Sequence, residues 1–388
     1  MGPPELRSKQ FTRILLIKPS ALGDVIHAVP VLVKLRARFP SAQIDWLLTP
    51  DNAELVRHHP ALSQVVSFDR RAYARFGRSW SATTGLLRSV HELWNNRYDL
   101  VIDLHGQLRS ALLTLATGAP VRIGFDRPLS KARRAEFQQN LGGQLRGWAG
   151  AREGAWVAYS HRISIPTLDV HAVDRYLWLA PILGLDNGPP DLRIFLPPQS
   201  GEAAESLLRE CALGQKQFAL LAPGTTWQTK HWHLEGFADV ARWFLEKGLD
   251  VVLAGAPRDQ ARCQTINQLC PQAANLSGRT TTAELAALIR RSVICVTNDS
   301  GAMHLAVALG KPVVSVFGPT SPVRVGPYNR PEAVIRTTLP CSPCHLRKLR
   351  ECPHDHACMK DVTSKMVIER VQALLDSEST QVQNRLAS

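Results

Sequence analysis

One stretch constrains the fold more than any other: Val293 to Pro322, VICVTNDSGAMHLAVALGKPVVSVFGPTSP. An apolar run rich in β-branched residues, Val293 to Thr297, stops abruptly at Asn298-Asp299-Ser300-Gly301. Ala302, Leu305, Ala306 and Leu309 then recur at helical spacing, Gly310 ends the helix, and a second apolar run, Val313 to Phe317, closes at Gly318-Pro319. Strand, tight polar turn, helix and strand make a βαβ unit. Its turn presents backbone N–H groups and a helix N-terminus at the C-terminal edge of a parallel sheet. Open α/β sheets bind ligands there, and helix N-termini favour phosphate. His304, one turn into the helix, can face the same ligand.

The same rhythm runs through the rest of the chain. Strands are predicted at Arg13 to Ile17, Ile44 to Leu48, Val65 to Phe68, Leu100 to Leu104 and Val121 to Phe125, and helices after Gly23, over Leu86 to Trp94 and over Leu108 to Ala116. Lys131 to Glu153 is polar, basic and Gly-rich, and is expected to be a long loop. Asp186 to Ser200 holds four prolines and is the best linker. Beyond it, strands at Phe218 to Ala222 and Val251 to Leu253 and helices at Phe237 to Leu245 and Leu285 to Ile289 lead into the βαβ unit. A last helix, Val362 to Leu375, precedes a polar tail expected to fray. With 388 residues, too many for one compact core, the expectation is an α/β protein of two Rossmann-like domains, 1–187 and 188–388.

Composition narrows the function. No apolar run reaches membrane-span length and the N-terminus lacks a signal-peptide core, so a cytoplasmic protein is expected. The net charge of +13 fits nucleic acid, an anionic membrane or an anionic substrate. The basic residues are scattered, with no nucleic-acid-binding motif, so nucleic acid is not expected as a partner. Of eight cysteines, Cys211, Cys263, Cys270 and Cys295 are expected in the core. Cys341, Cys344, Cys352 and Cys358 cluster near three histidines. They are either a structural metal site or a reduced loop without metal, and their spacing fits no standard zinc module.

Three loops can carry chemistry. In Lys18-Pro-Ser-Ala-Leu-Gly-Asp24, Gly23 permits close backbone approach, Ser20 offers a hydroxyl, and Asp24 opens a helix either as a capping acid or as a general base above the sheet edge. In Gly224 to Trp232, Thr225, Thr226 and Lys230 suit a diphosphate, or else form a polar turn with a solvated lysine. The third is Asn298 to His304, either a ligand turn or an ordinary capped βα turn. No P-loop, GxGxxG loop, HExxH or Asp-x-Asp is present, so a catalytic metal is not expected.

With those residues on the page, the chain resembles the ADP-heptose:lipopolysaccharide heptosyltransferases, glycosyltransferase family 9, of the GT-B fold. The matching stretches are Ile14 to Pro30, Asp103 to Leu113, Gly224 to Trp232 and Val296 to Pro322. Asp103 to Leu113 and His171 to Tyr176 look closest to the type I branch, whereas the segment Cys341 to Met359 looks like one found in other members. The resemblance implies two Rossmann-like domains facing across a cleft, the N-terminal one for the acceptor and the C-terminal one for ADP-heptose. It implies inverting heptose transfer to the Kdo-containing inner core of lipid A, by a protein peripherally associated with the inner membrane. Asp24 matches the base and Lys230 the lysine at the diphosphate. Lys18, Ser20, Gly23, Thr225, Thr226, Asp299, Ser300, Gly301 and His304 match donor-binding positions. His105, Arg109, Arg127, Lys131, Arg133 and Arg134 are the acceptor-binding candidates. Where members often carry Ser or Thr, this chain has Pro19. The alternatives are a type II or III transferase, a member using another core acceptor or activated sugar, and a non-catalytic ADP-sugar binding protein.

Overall fold

The computed structural model describes residues 4–69, 78–130 and 148–386. These form two compact units, dividing between Phe195 and Leu196; sequence had placed the boundary at 187/188. In the first unit, six parallel strands, β1 (Arg13–Ile17), β2 (Gln43–Leu48), β3 (Gln64–Ser67), β4 (Leu100–Asp103), β5 (Val121–Phe125) and β6 (His161–Ile163), lie in the order β3-β2-β1-β4-β5-β6. In the second, β7 (Phe218–Ala222), β8 (Asp250–Leu253), β9 (Ala274–Asn275), β10 (Ile294–Asn298), β11 (Val313–Val316) and β12 (Val334–Ile335) lie in the order β12-β11-β10-β7-β8-β9. Each sheet reads 3-2-1-4-5-6, the order of a dinucleotide-binding Rossmann sheet, and each reverses direction once, between β1 and β4 and between β7 and β10.

The central strands are those that are apolar on both faces, as a sheet covered by helices on both sides requires. Ile14 to Ile17 of β1 and Ile294 to Val296 of β10 are fully buried. One core of the second unit packs Trp232, Phe237 and Phe244 against Val296, Val314 and Val316, and the last helix adds Val367 and Val371. That helix runs Ser364–Leu386, so the tail expected to fray is helical through Leu386. Its Leu, Glu and Gln residues are good helix formers, and propensity sustains it beyond the buried stripe. Helix Pro198–Glu210 starts inside the predicted linker. Cys211, expected in the core, is the C-cap of that helix and only half-buried, whereas Cys263, Cys270 and Cys295 are buried.

Candidate active site

The first half-site sits where the first sheet reverses. β1 ends at Ile17, the chain crosses Lys18 to Ala21, and helix Leu22–Arg38 begins. The Pro19 carbonyl accepts from Thr49 N, Thr49 Oγ1 and Asn52 Nδ2 at 3.0–3.2 Å, which pins the loop through its backbone. Asp24, in the first helical turn, takes a long 3.4 Å bond from the Ala21 N–H. Its stronger partners come from elsewhere. Lys18 Nζ lies 3.1 Å from Oδ2, and Tyr176 Oη donates to Oδ1 at 3.2 Å. Tyr176 arrives on helix Ala172–Leu177, whose N-terminus is capped by His171 Nδ1 accepting from Val173 N at 3.1 Å.

Charge around Asp24 is one-sided. Burial alone would raise its pKa, but Lys18 and then Arg175 hold it below the usual carboxylate range. Burial likewise opposes the Lys18 ammonium, yet Asp24 and Tyr176 raise its pKa. His105 is driven down to about 3 by burial and by the neighbouring Lys18 charge, so it is a neutral imidazole. Arg175 stacks its guanidinium 4.1 Å from the Trp148 ring centroid. Among the described residues, the buried Arg175 Nε and His105 Nδ1 have no hydrogen-bond partner.

His105 is presented by a turn that Asp103 organises: the buried carboxylate accepts from His105 N at 2.8 Å, Gly106 N at 3.1 Å and Tyr159 Oη at 2.8 Å. Ser20 and Gly23 are half-buried in the Asp24 loop, and Arg109 and Arg127 are exposed. Lys131, Arg133 and Arg134 lie outside the described residues, as does most of the long basic loop. Its remainder from Trp148 is anchored, with Ala151 N donating to Asp126 O and Arg152 N to Gly106 O.

The second half-site sits at the corresponding reversal of the second sheet. Asn298, last in β10, staples both ends of the loop after β7: its Nδ2 donates to Pro223 O at 2.7 Å and its Oδ1 accepts from Trp232 N at 3.1 Å. Thr225 Oγ1 donates to Asp299 O at 3.0 Å, and Thr226 is exposed. Lys230 Nζ sits 2.7 Å from Asp299 Oδ2, which also accepts from Thr320 Oγ1 at 2.5 Å. The lysine lies over the Trp227 ring, 4.6 Å from its centroid. Ser300 is the N-cap of helix Gly301–Ala308, and its hydroxyl meets Thr297 Oγ1 at 2.9 Å. His304 is buried in that helix. Lys230, Thr225, Asp299, Ser300 and Gly301 are therefore brought together, as are Lys18, Gly23, Asp24 and His105, in separate units.

Sequence reasoning gave no role to Tyr176, Arg175 or Thr320, and read Asn298 only as the start of the third loop. Nothing local marks Tyr176, which reaches Asp24 across 152 residues of chain. Nor did it foresee that the cysteine-rich segment braces the Lys230 loop. Thr229 Oγ1 donates to Leu346 O at 2.5 Å, and His356 Nε2 meets Thr229 O at 2.5 Å. Burial pushes the Cys358 thiol up to about 12 and raises Cys344, the neighbouring thiols adding to both. Among the described residues no three His, Cys, Asp or Glu side chains are grouped as a metal would need.

The chain is similar to known proteins. The model of glycosyltransferase family 9 (heptosyltransferase) matches residues 86–141 and 138–354. A lipopolysaccharide heptosyltransferase 1 of Pseudomonas aeruginosa is 31% identical, over 86% of each chain. A lipopolysaccharide heptosyltransferase 2 of Escherichia coli is 27% identical over 94% of this chain and 99% of its own. The solved Escherichia coli ADP-heptose heptosyltransferase II superposes with a TM-score of 0.71 at 24% identity, covering 95% of this chain and 100% of its own, which supports the GT-B fold. The chain is a glycosyltransferase, and it belongs to glycosyltransferase family 9, the heptosyltransferases.

Proposed function

We propose that this protein transfers heptose from ADP-heptose, with inversion, to the Kdo-containing inner core of a lipid A acceptor, as a type I enzyme. The observation that carries the reading is Asp24: a part-exposed carboxylate, kept ionised by Lys18 and oriented by Tyr176, at the switch point of the first sheet. In that place it takes the proton of the acceptor hydroxyl as the oxygen attacks the anomeric carbon. The acceptor belongs to the first unit, where Arg175, Arg109 and Arg127 supply cations for its carboxylates and phosphates. ADP-heptose belongs to the second. There Lys230 exchanges Asp299 for the diphosphate, and the N–H groups opening helix Gly301–Ala308 add partial positive charge as ADP leaves.

These groups neutralise the leaving diphosphate without an Asp-x-Asp metal site, so the proposed transfer is metal-independent. The type II reading is favoured by one observation, the longer match to heptosyltransferase 2. Purified protein assayed with ADP-heptose, ADP-mannose and UDP-sugars, each on Kdo-lipid A and on the singly heptosylated core, separates these readings. Transfer from ADP-heptose to Kdo-lipid A is the expected result. Transfer only to the heptosylated core would make it a type II enzyme. ADP-sugar binding without transfer to either acceptor would overturn catalysis.

A further inference from the structure

The first unit carries an exposed apolar face that the chemistry above does not use. On helix Trp80–Asn95, Trp80, Leu87 and Trp94 recur every seven residues and so share one side. Trp80 is 84% exposed, Leu87 57% and Trp94 49%. On helix Leu108–Ala116, Leu108, Leu112 and Leu115 recur at i, i+4 and i+7, and all three are exposed, Leu112 at 57%. The two helices pack on each other, and the Trp94 ring lies against Gly118, where a Cβ would meet it at 2.5 Å. The short helix Ala155–Ala158 packs beside Leu108–Ala116 and adds Val157, 75% exposed. A soluble surface scatters such residues singly. Seven on three touching elements mark an interaction face.

We propose that this face docks the enzyme on an anionic lipid bilayer. Its composition is that of a membrane interface: tryptophans at both ends of one helix, leucines between, and cations around. The exposed charges on these elements and their flanks are five arginines, Arg78, Arg88, Arg97, Arg109 and Arg152, and two glutamates, Glu92 and Glu153. The Arg97 guanidinium sits 5.7 Å from the Trp94 ring centroid, a cation placed at headgroup level beside an interfacial aromatic. That charge excess fits acidic headgroups. It disfavours a second copy of this chain, because a two-fold contact would set one arginine rim against another. Among the described residues no helix is long and apolar enough to cross a membrane, so the contact is with the surface. Helix Leu108–Ala116 starts just past His105-Gly106, at the sheet edge that carries Asp24. A sugar rooted in the docked bilayer then begins on the side of this unit that holds the base. Only this last step rests on the lipid-anchored acceptor proposed above.

The test is flotation of the full chain with phosphatidylcholine vesicles, with and without phosphatidylglycerol, in the absence of donor and acceptor. The wild type is expected to float with the anionic vesicles, less with neutral ones, and less at high salt. The triple variant Trp80→Ser, Leu87→Ser, Leu112→Ser is expected to partition at least about tenfold more weakly, since binding scales with buried apolar area. It should transfer heptose to a water-soluble acceptor fragment at the wild-type rate, which shows that it is folded. Wild type that stays unbound, or a triple variant that floats equally well, overturns the proposal. So does a wild-type dimer that the triple variant dissolves without any vesicle binding, which would make the face an interface between copies. Flotation without heptose transfer would leave the docking face standing and remove the transferase reading instead.

Discussion

Asp24 shows how one side chain can satisfy two readings of a sequence. Its bond to Ala21 N is the helix-start contact of a capping acid, but Lys18 and Tyr176 do more to set its charge and aim. A capping acid alone is worth about 0.5–2 kcal/mol of stability, whereas a general base contributes about 10²–10⁴ in rate. Asp24→Ala is therefore expected to lower kcat by about 10² or more with ADP affinity nearly intact. Near-wild-type turnover would leave only the cap. Lys18 separates the roles further. Its ammonium lowers the carboxylate pKa while burial raises it, so Lys18→Met should move the acid limb of kcat/KM to higher pH. The ion pair also stabilises the fold with a definite sign. The Asp24 share is present above the unfolded carboxylate pKa and is lost as pH falls through the lower folded one. The Lys18 share is lost as pH rises through its raised folded value. An unchanged acid limb in Lys18→Met would dissociate the lysine from the base. In the other unit, Lys230→Ala should weaken ADP binding and slow transfer while adenosine binding holds, because its charge acts on phosphate. Equal loss for adenosine and ADP would count against that role.

At the scale of elements, the loop Gly224 to Trp232 is set by parts of the chain far from it. Asn298 holds its ends, and the segment around the cysteines holds its middle through Thr229. Gly318 brings that segment onto the end of β11, where a Cβ would meet Cys358 Sγ at 2.8 Å. Thr229→Val removes the bond to Leu346 O and leaves a buried carbonyl short of a donor, at a cost of about 1–3 kcal/mol. Lys230 is the next residue, so donor KM should rise several-fold while adenosine binding and acceptor KM stay level. Thermal unfolding distinguishes loop loosening from global loss, and an unchanged donor KM would mean that the brace does not act on the lysine. Such braces are illegible in one sequence because nothing local encodes a contact across 117 residues. What was legible followed from periodicity: buried central strands, the helices behind them, and polar turns at the strand ends. What escaped was short or deceptive. β6 has three residues at a sheet edge and no apolar run, and β9 and β12 have two residues each. The prolines read as linker end in Pro197 and Pro198, yet Pro198 is the first residue of a helix, where a missing N–H costs nothing.

For the whole molecule, two units with one strand order raise the question of which substrate each takes. Sheet topology does not answer it, since both present a switch point with a helix N-terminus. Side chains do. The second unit's switch point carries Lys230, Thr225 and a capped helix start, all suited to a diphosphate, and no Asp-x-Asp. Transfer is accordingly expected to survive EDTA, and restoration of a chelated enzyme by Mg²⁺ would contradict it. The first unit's switch point carries a carboxylate ringed by Lys18, Arg175 and a neutral His105, with an exposed Arg109 in the helix after β4 and an exposed Arg127 just past β5. A carboxylate held ionised among cations suits an acceptor that brings its own negative charges. In the proposed reaction the arginines attract those charges while the base deprotonates a hydroxyl. Charge reversal tests the division directly. Arg109→Glu with Arg127→Glu should raise acceptor KM severalfold and weaken its salt dependence, because screening acts on attractions between exposed charges. Donor KM should not move, since neither residue belongs to the unit of Lys230. The mirror experiment, Lys230→Ala, should move donor KM and leave acceptor KM level. If each variant shifted both constants equally, the substrates would not be divided between the units in this way.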